Sequence, residues 1–113
     1  MLQTESGERS ARTVLISLSG VADLADVGRL RAVLERALGE HQEVRLDLSE
    51  LRAMDSACIR ELLRAQALAA RDHLVFGVVA ASPNANRILM SADASGLLLE
   101  RDSSEDPDSP ARR

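Results

Sequence analysis

Asp55, Ser56, Ala57 and Cys58 stand in a row inside LDLSELRAMDSACIREL (residues 46–62), placing an acid, a hydroxyl and the chain's one thiol side by side. Each suggests a different chemistry. A serine at the start of a helix is a good phosphate acceptor, because unpaired N–H groups and the positive dipole end tolerate a new anion there. Phosphorylation would add about −1.5 to −2 charges near neutral pH, beside the carboxylate of Asp55. The plainer role for Asp55 or Ser56 is to cap that helix, a contribution of roughly 0.5–2 kcal/mol. A cysteine in a first helical turn can be a nucleophile if its pKa is depressed. It would need an imidazole from His41 or His73, the two histidines of the chain. A free cysteine is more commonly a small buried hydrophobe. Asp23, Asp26, Asp47 and Asp55 lack histidines at metal-ligand spacing, so caps and turns account for them and no metal or cofactor is expected. The six glycines are scattered and form no phosphate-binding loop.

These residues need elements to hold them. TVLISLSG alternates Val14, Ile16 and Leu18 against Thr13, Leu15 and Ser17, the pattern of a half-buried strand. LQTE before it predicts a short partner strand, with SGERSA as the turn between them. Asp26 is suited to cap a helix that carries Val27, Leu30, Val33, Leu34, Ala37 and Leu38 inward and stops at Gly39. Its other face, Arg29, Arg31, Glu35 and Arg36, reads as solvated. EVRLDL is a second strand. From Ser56 to Ala70 a helix is predicted, with Ile59, Leu62, Leu63 and Ala67 inward. HLVFGVV reads as a strand covered on both faces. Ser82 and Pro83 open a third helix with Ile88 and Leu89 inward, and SGLLLE supplies a turn and a final strand. The expected fold is one α/β domain over residues 1–100, a mixed sheet of four to five strands with helices packed on it. Residues 101–113, RDSSEDPDSPARR, read as a disordered polar tail.

Composition narrows the function. The chain has 113 residues, of which 45% are hydrophobic and 28% charged, with Phe76 the sole aromatic. The core must be aliphatic, and stacking of bases or sugars has little support. A net charge of −4, with all 14 cations arginine, argues against direct nucleic-acid binding. One cysteine cannot form an internal disulfide, which suits a reducing compartment. The longest apolar run is far too short to span a bilayer, and the N-terminus lacks a signal-peptide pattern. A cytoplasmic protein without membrane insertion is expected.

The joint resembles the signature of the STAS domain found in bacterial anti-sigma-factor antagonists. Leu46-Asp47-Leu48 is similar to that family's aliphatic-Asp-aliphatic strand end, and Asp55-Ser56-Ala57-Cys58-Ile59 to its Asp-Ser-small-Gly-aliphatic helix start. Gly20-Val21-Ala22-Asp23 and Ser95-Gly96-Leu97 are similar to two further landmarks. The resemblance implies a partner switch and no enzyme activity. The unphosphorylated antagonist binds an anti-sigma factor that is a serine/threonine kinase; the kinase phosphorylates the antagonist; a serine phosphatase resets it. Carried over, Ser56 is the phospho-acceptor, and Asp23, Asp55, Ala57 and Cys58 share the partner-binding surface with it. Cys58 stands where the family has glycine. That difference motivates an alternative, a non-switching STAS adaptor subunit of a stress-signalling or lipid-transport assembly.

Overall fold

Alternation along the strands decides which side faces inward. The computed structural model describes residues 1–10 and 12–99. Strands β1 (Leu2–Ser10) and β2 (Thr13–Ala22) are followed by a 3-10 turn (Leu24–Asp26) and helix α1 (Val27–Gly39). Then come β3 (Glu43–Leu48), β4 (Leu51–Met54), α2 (Ser56–Arg71), β5 (Phe76–Ala81), α3 (Pro83–Ser91) and a last 3-10 turn (Ser95–Leu97). Val14, Ile16 and Leu18 of β2 and Val44, Leu46 and Leu48 of β3 point into one core with Leu30, Leu34, Leu62 and Leu89 from the helices. The core is aliphatic apart from Phe76, as the composition requires.

The sheet is mixed, in the order β1-β2-β3-β5, with β4 pairing to β2. β1 runs antiparallel to β2; the other pairings are parallel. β2 serves two partners in succession: Thr13 to Ser17 pair with β3, and Gly20 to Ala22 pair with β4. The register shifts between Gly20 and Val21. Gly20 has φ of +83°, and a Cβ there would stand 2.6 Å from the Met1 carbonyl oxygen. Only glycine fits this change of partner. The expected α/β fold is observed.

Several local expectations differ from what is seen. β1 continues to Ser10, so most of SGERSA is strand and not turn. Its alternation is obscured because β1 is an edge strand with Gln3, Glu5, Ser6 and Gly7 exposed. β4 went unpredicted: four residues with Arg52 and Ala53 exposed carry no period-2 signal. In α2 the inward small residues are Ala65 and Ala69, while Ala67 is exposed; the stripe advances one turn at a time from Ile59 and Leu62. β5 is covered on both faces only at its start, since Val79 is 37% exposed. The final strand reduces to one bridge from Leu98 to Val78 and a hydrogen bond from the Leu99 N–H to the Val78 carbonyl. The tail expected beyond residue 100 lies outside the described residues.

The charged face of α1 is only partly solvated. Arg31 donates two hydrogen bonds to buried Glu61 of α2, at 3.0 and 2.7 Å, and Arg64 reaches Glu35 at 2.8 Å. Arg29 bonds Asp26 and the Leu2 carbonyl, fastening β1 to the start of α1. These contacts fix α1 against α2 and hence against the joint that α2 begins.

Gly39 is not the residue that stops α1. After each of the three helices a non-glycine residue takes the left-handed conformation: His41 and His73 at φ of 59° and Asp93 at 57°. The residue that follows donates to a carbonyl in the last helical turn: Gln42 to Ala37, Leu74 to Ala69 and Ala94 to Leu89. Each is a Schellman ending. Replacing Asp93 by glycine should therefore raise stability by about 1 kcal/mol. Gly77→Ala should lower it by roughly 1–3 kcal/mol, because the new Cβ would meet the Leu97 carbonyl oxygen at 2.7 Å and Leu99 Cγ at 2.5 Å. Urea unfolding of the two variants should show midpoints displaced in opposite directions.

Candidate functional site

The parallel strands end on one edge of the sheet, and the joint lies there. At the end of β2, Asp23 is extended and its Oδ1 accepts from the Ala25 N–H at 3.0 Å. Asp26 returns the bond, its Oδ2 accepting from the Asp23 N–H at 2.9 Å. The two form a capping box around the 3-10 turn that leads into α1. Asp26, expected to cap α1 directly, makes no side-chain capping bond to the helix N–H groups; its carboxylate accepts from the Asp23 N–H and from the Arg29 guanidinium. The Asp23 N–H, with Arg29 nearby, holds the Asp26 carboxyl below its usual 3.8 although it is buried.

α2 starts beside this corner because of two bonds. The Asp55 N–H donates to the Ala22 carbonyl at 2.7 Å, and the Cys58 thiol donates to the Asp23 carbonyl at 3.3 Å. Asp55 is the N-cap, its Oδ1 accepting from the Ala57 N–H at 2.7 Å, and Ser56 is the first helical residue. Capping therefore falls to Asp55 alone. Ser56 is exposed, and among the described residues no hydrogen bond engages its hydroxyl. Asp23 and Asp55 are exposed too, and Ala57 is half-buried.

Cys58 behaves differently from the other four. Its side chain is fully buried, so it presents nothing to a partner. Burial, reinforced by Asp26, Asp55, Asp23 and Glu61, pushes its thiol up to about 11. His73 follows the far end of α2, and His41 precedes β3, at the end of the sheet where the parallel strands β2 and β3 begin. The nucleophile reading has neither a thiolate nor a base in reach.

One feature of the site has no counterpart in the sequence pattern. An open groove of about 530 Å³ runs between the start of α2 and α3, lined by Met54, Ser56, Ile59, Arg87, Ile88 and Ala92 among others. α3 is held there by Asn84, whose side-chain amide donates to the carbonyls of Leu51 and Arg52 at 3.3 and 2.9 Å. The Arg87 guanidinium bonds the Asn84 side-chain oxygen at 3.1 Å. Arg87 lies 31 positions from Ser56, and the packing of α3 on β4 brings the two to one groove. Among the described residues no group of His, Cys, Asp or Glu is arranged to hold a metal ion, and no helix is long and apolar enough to cross a membrane.

A family model described as the Mlab STAS domain matches residues 6–100. The chain belongs to the STAS domain family. Solved anti-sigma factor antagonists share its fold. The anti-sigma factor antagonist SpoIIAA in its unphosphorylated form is 17% identical, with a TM-score of 0.75 over 91% of each chain. SpoIIAA in its phosphorylated form, a Bacillus cell fate determinant, is 18% identical with a TM-score of 0.69 over 91% of this chain and 95% of that one. An anti-sigma factor antagonist from Mycobacterium paratuberculosis is 19% identical, with a TM-score of 0.69 over 87% and 83%. No curated protein sequence matches the chain.

The thiol and the buried acids give two tests. At pH 8 a thiol titrating near 11 is thiolate in about one molecule per thousand. Labelling of Cys58 in the native STAS domain should therefore run at least about a hundredfold slower than in urea. Asp26 and Glu61 both sit below their ordinary values, Glu61 chiefly through its bonds from Arg31. Their stabilisation is complete above the unfolded pKa values, about 4, and is lost as pH falls through the lower folded ones. Thermal midpoints should be level from pH 7 to about 5 and fall below about 4, with a shallower fall in Glu61→Gln.

Proposed function

We propose that this STAS domain is an anti-sigma-factor antagonist that works as a phosphorylation-controlled binding partner and has no catalytic activity of its own. The observation that carries the reading is the exposed, unengaged hydroxyl of Ser56 on the first residue of α2, beside the exposed carboxylates of Asp55 and Asp23. In its neutral form the surface made by Asp23, Asp55, Ser56 and Ala57, with exposed Leu24 nearby, offers a docking patch to a serine/threonine kinase anti-sigma factor. Cys58 supports that patch from inside by anchoring the Asp23 carbonyl. Transfer of the ATP γ-phosphoryl group to Ser56 Oγ forms a P–O bond, releases ADP and sends the hydroxyl proton to a base on the kinase. The product carries a near-dianion in an interface fitted to an alcohol. Like-charge juxtaposition and desolvation there cost several kcal/mol, the complex separates, and a serine phosphatase restores the alcohol by hydrolysis. An ATP-dependent cycle of this kind belongs in the cytoplasm.

A second reading is a non-switching adaptor subunit, favoured by the Mlab type of the matching family model. Ser56→Asp separates the two. Under the switch, the cognate kinase and ATP label Ser56 in the wild type and leave Ser56→Ala unlabelled. Phosphorylation then weakens binding roughly 100- to 1,000-fold, ~3–4 kcal/mol, and Ser56→Asp weakens it in the same direction. Calorimetric titration that finds equal affinity for all three forms would decide for the adaptor.

A further inference from the structure

Resting on that reading of Ser56, we propose that Arg87 is the internal counter-ion of the phosphorylated state: it receives the Ser56 phosphate inside the α2–α3 groove. The helix start has little left to offer an anion. Asp55 takes up three N–H groups at the start of the helix, Ala57 through its carboxylate and Cys58 and Ile59 through its carbonyl. The nearest carboxylates, Asp55 and Asp23, repel a phosphate. A cation must come from elsewhere, and Arg87 lines the same groove as Ser56. Its described polar contact is a neutral one, to the side-chain oxygen of Asn84 one turn back on α3, and among the described residues no acid pairs with it. A guanidinium so held is positioned but electrostatically unspent, and its planar fork matches two phosphate oxygens.

The groove's other walls are mostly apolar, formed by Met54, Ile59, Ile88 and Ala92 with Ser91 beside them. That strengthens an ion pair made at its rim by excluding part of the water. Other charged groups on the surrounding elements are Arg60 on α2, Arg52 on β4, and Asp55, Asp23 and Asp26 at the corner; further along α2, Glu61 is paired with Arg31 and Arg64 with Glu35. Arg60 stands four residues after Ser56 on the same helix, exposed, and adds an attraction of its own. The phosphate then does two things. It charges the surface, and it fills a groove that a partner's side chain could enter in the neutral form.

The test uses phosphoserine incorporated at position 56 during translation, so no kinase is needed. The second ionisation of the phosphate, near 6 in an ordinary phosphoserine, is followed by phosphorus NMR against pH. Arg87→Gln should raise it by about half a unit, and Arg87→Lys by less. Arg36→Gln, on the far side of α1, is the control and should leave it unchanged. An Arg87→Gln value equal to that of the wild type overturns the proposal. Failure of a kinase to label Ser56 would instead overturn the switch and leave the titration readable, so the two ideas fail separately.

Discussion

The hydrogen bond from the Asp55 N–H to the Ala22 carbonyl, 2.7 Å long, fixes where the start of α2 stands relative to the end of β2. β2 leaves the register of β3 after Ser17 and is taken up by β4 from Gly20 to Ala22. The Asp55 bond closes that short ladder and turns the chain into the helix. The proximity of Asp23 to Ser56 is therefore written in backbone register, with side chains adding to it. A surface built this way can change its side chains freely without losing the relation between its two halves, which suits a family whose members share a fold at 17–19% identity.

Three acids at the corner have mechanical duties before any electrostatic one. Asp23, Asp26 and Asp55 each accept from a backbone N–H within three residues. Each satisfies a donor that a helix start leaves without a partner. The result is a site in which the carboxylates are committed to the turn and the Ser56 hydroxyl is left over. That division suits a modification site: the charge changes while the caps that hold the geometry stay in place. The Arg31–Glu61 pair contributes at a distance, since it fixes the rotation of α2 and hence the direction in which residue 56 faces.

The fold was legible wherever one face of an element is buried and the other wet. β2, β3, α1 and α2 announce themselves by period, and Asp55 as a helix start by type. β1 and β4 were hidden or shortened because an edge strand and a four-residue strand need little burial and so carry little pattern. The stop of α1 reads as Gly39 in the sequence, but a Schellman turn depends on the bonds around it, and His and Asp tolerate the left-handed position when those bonds form. The candidate site was legible as a sequence neighbourhood from Asp55 to Cys58. Its groove was not. Arg87 reaches Ser56's side only because Asn84 ties α3 to the backbone of β4, and no local rule relates residue 84 to residues 51 and 52.

Cys58 is where residue type and position point different ways. Replacing a glycine at a helix start by a residue with a side chain would be expected to lift the surface and hold a partner's backbone away. The side chain instead turns inward, is wholly buried, and donates to the carbonyl of Asp23. The surface above it is left as low as its neighbours Ser56 and Ala57 make it. The thiol thus adds a second tie between α2 and the β2 corner, parallel to the one from Asp55. A weak donor suffices there, because the alternative is a carbonyl at a buried edge with one partner fewer. The departure from glycine is therefore a tie beneath the start of α2, and it adds no height to the surface at Ser56.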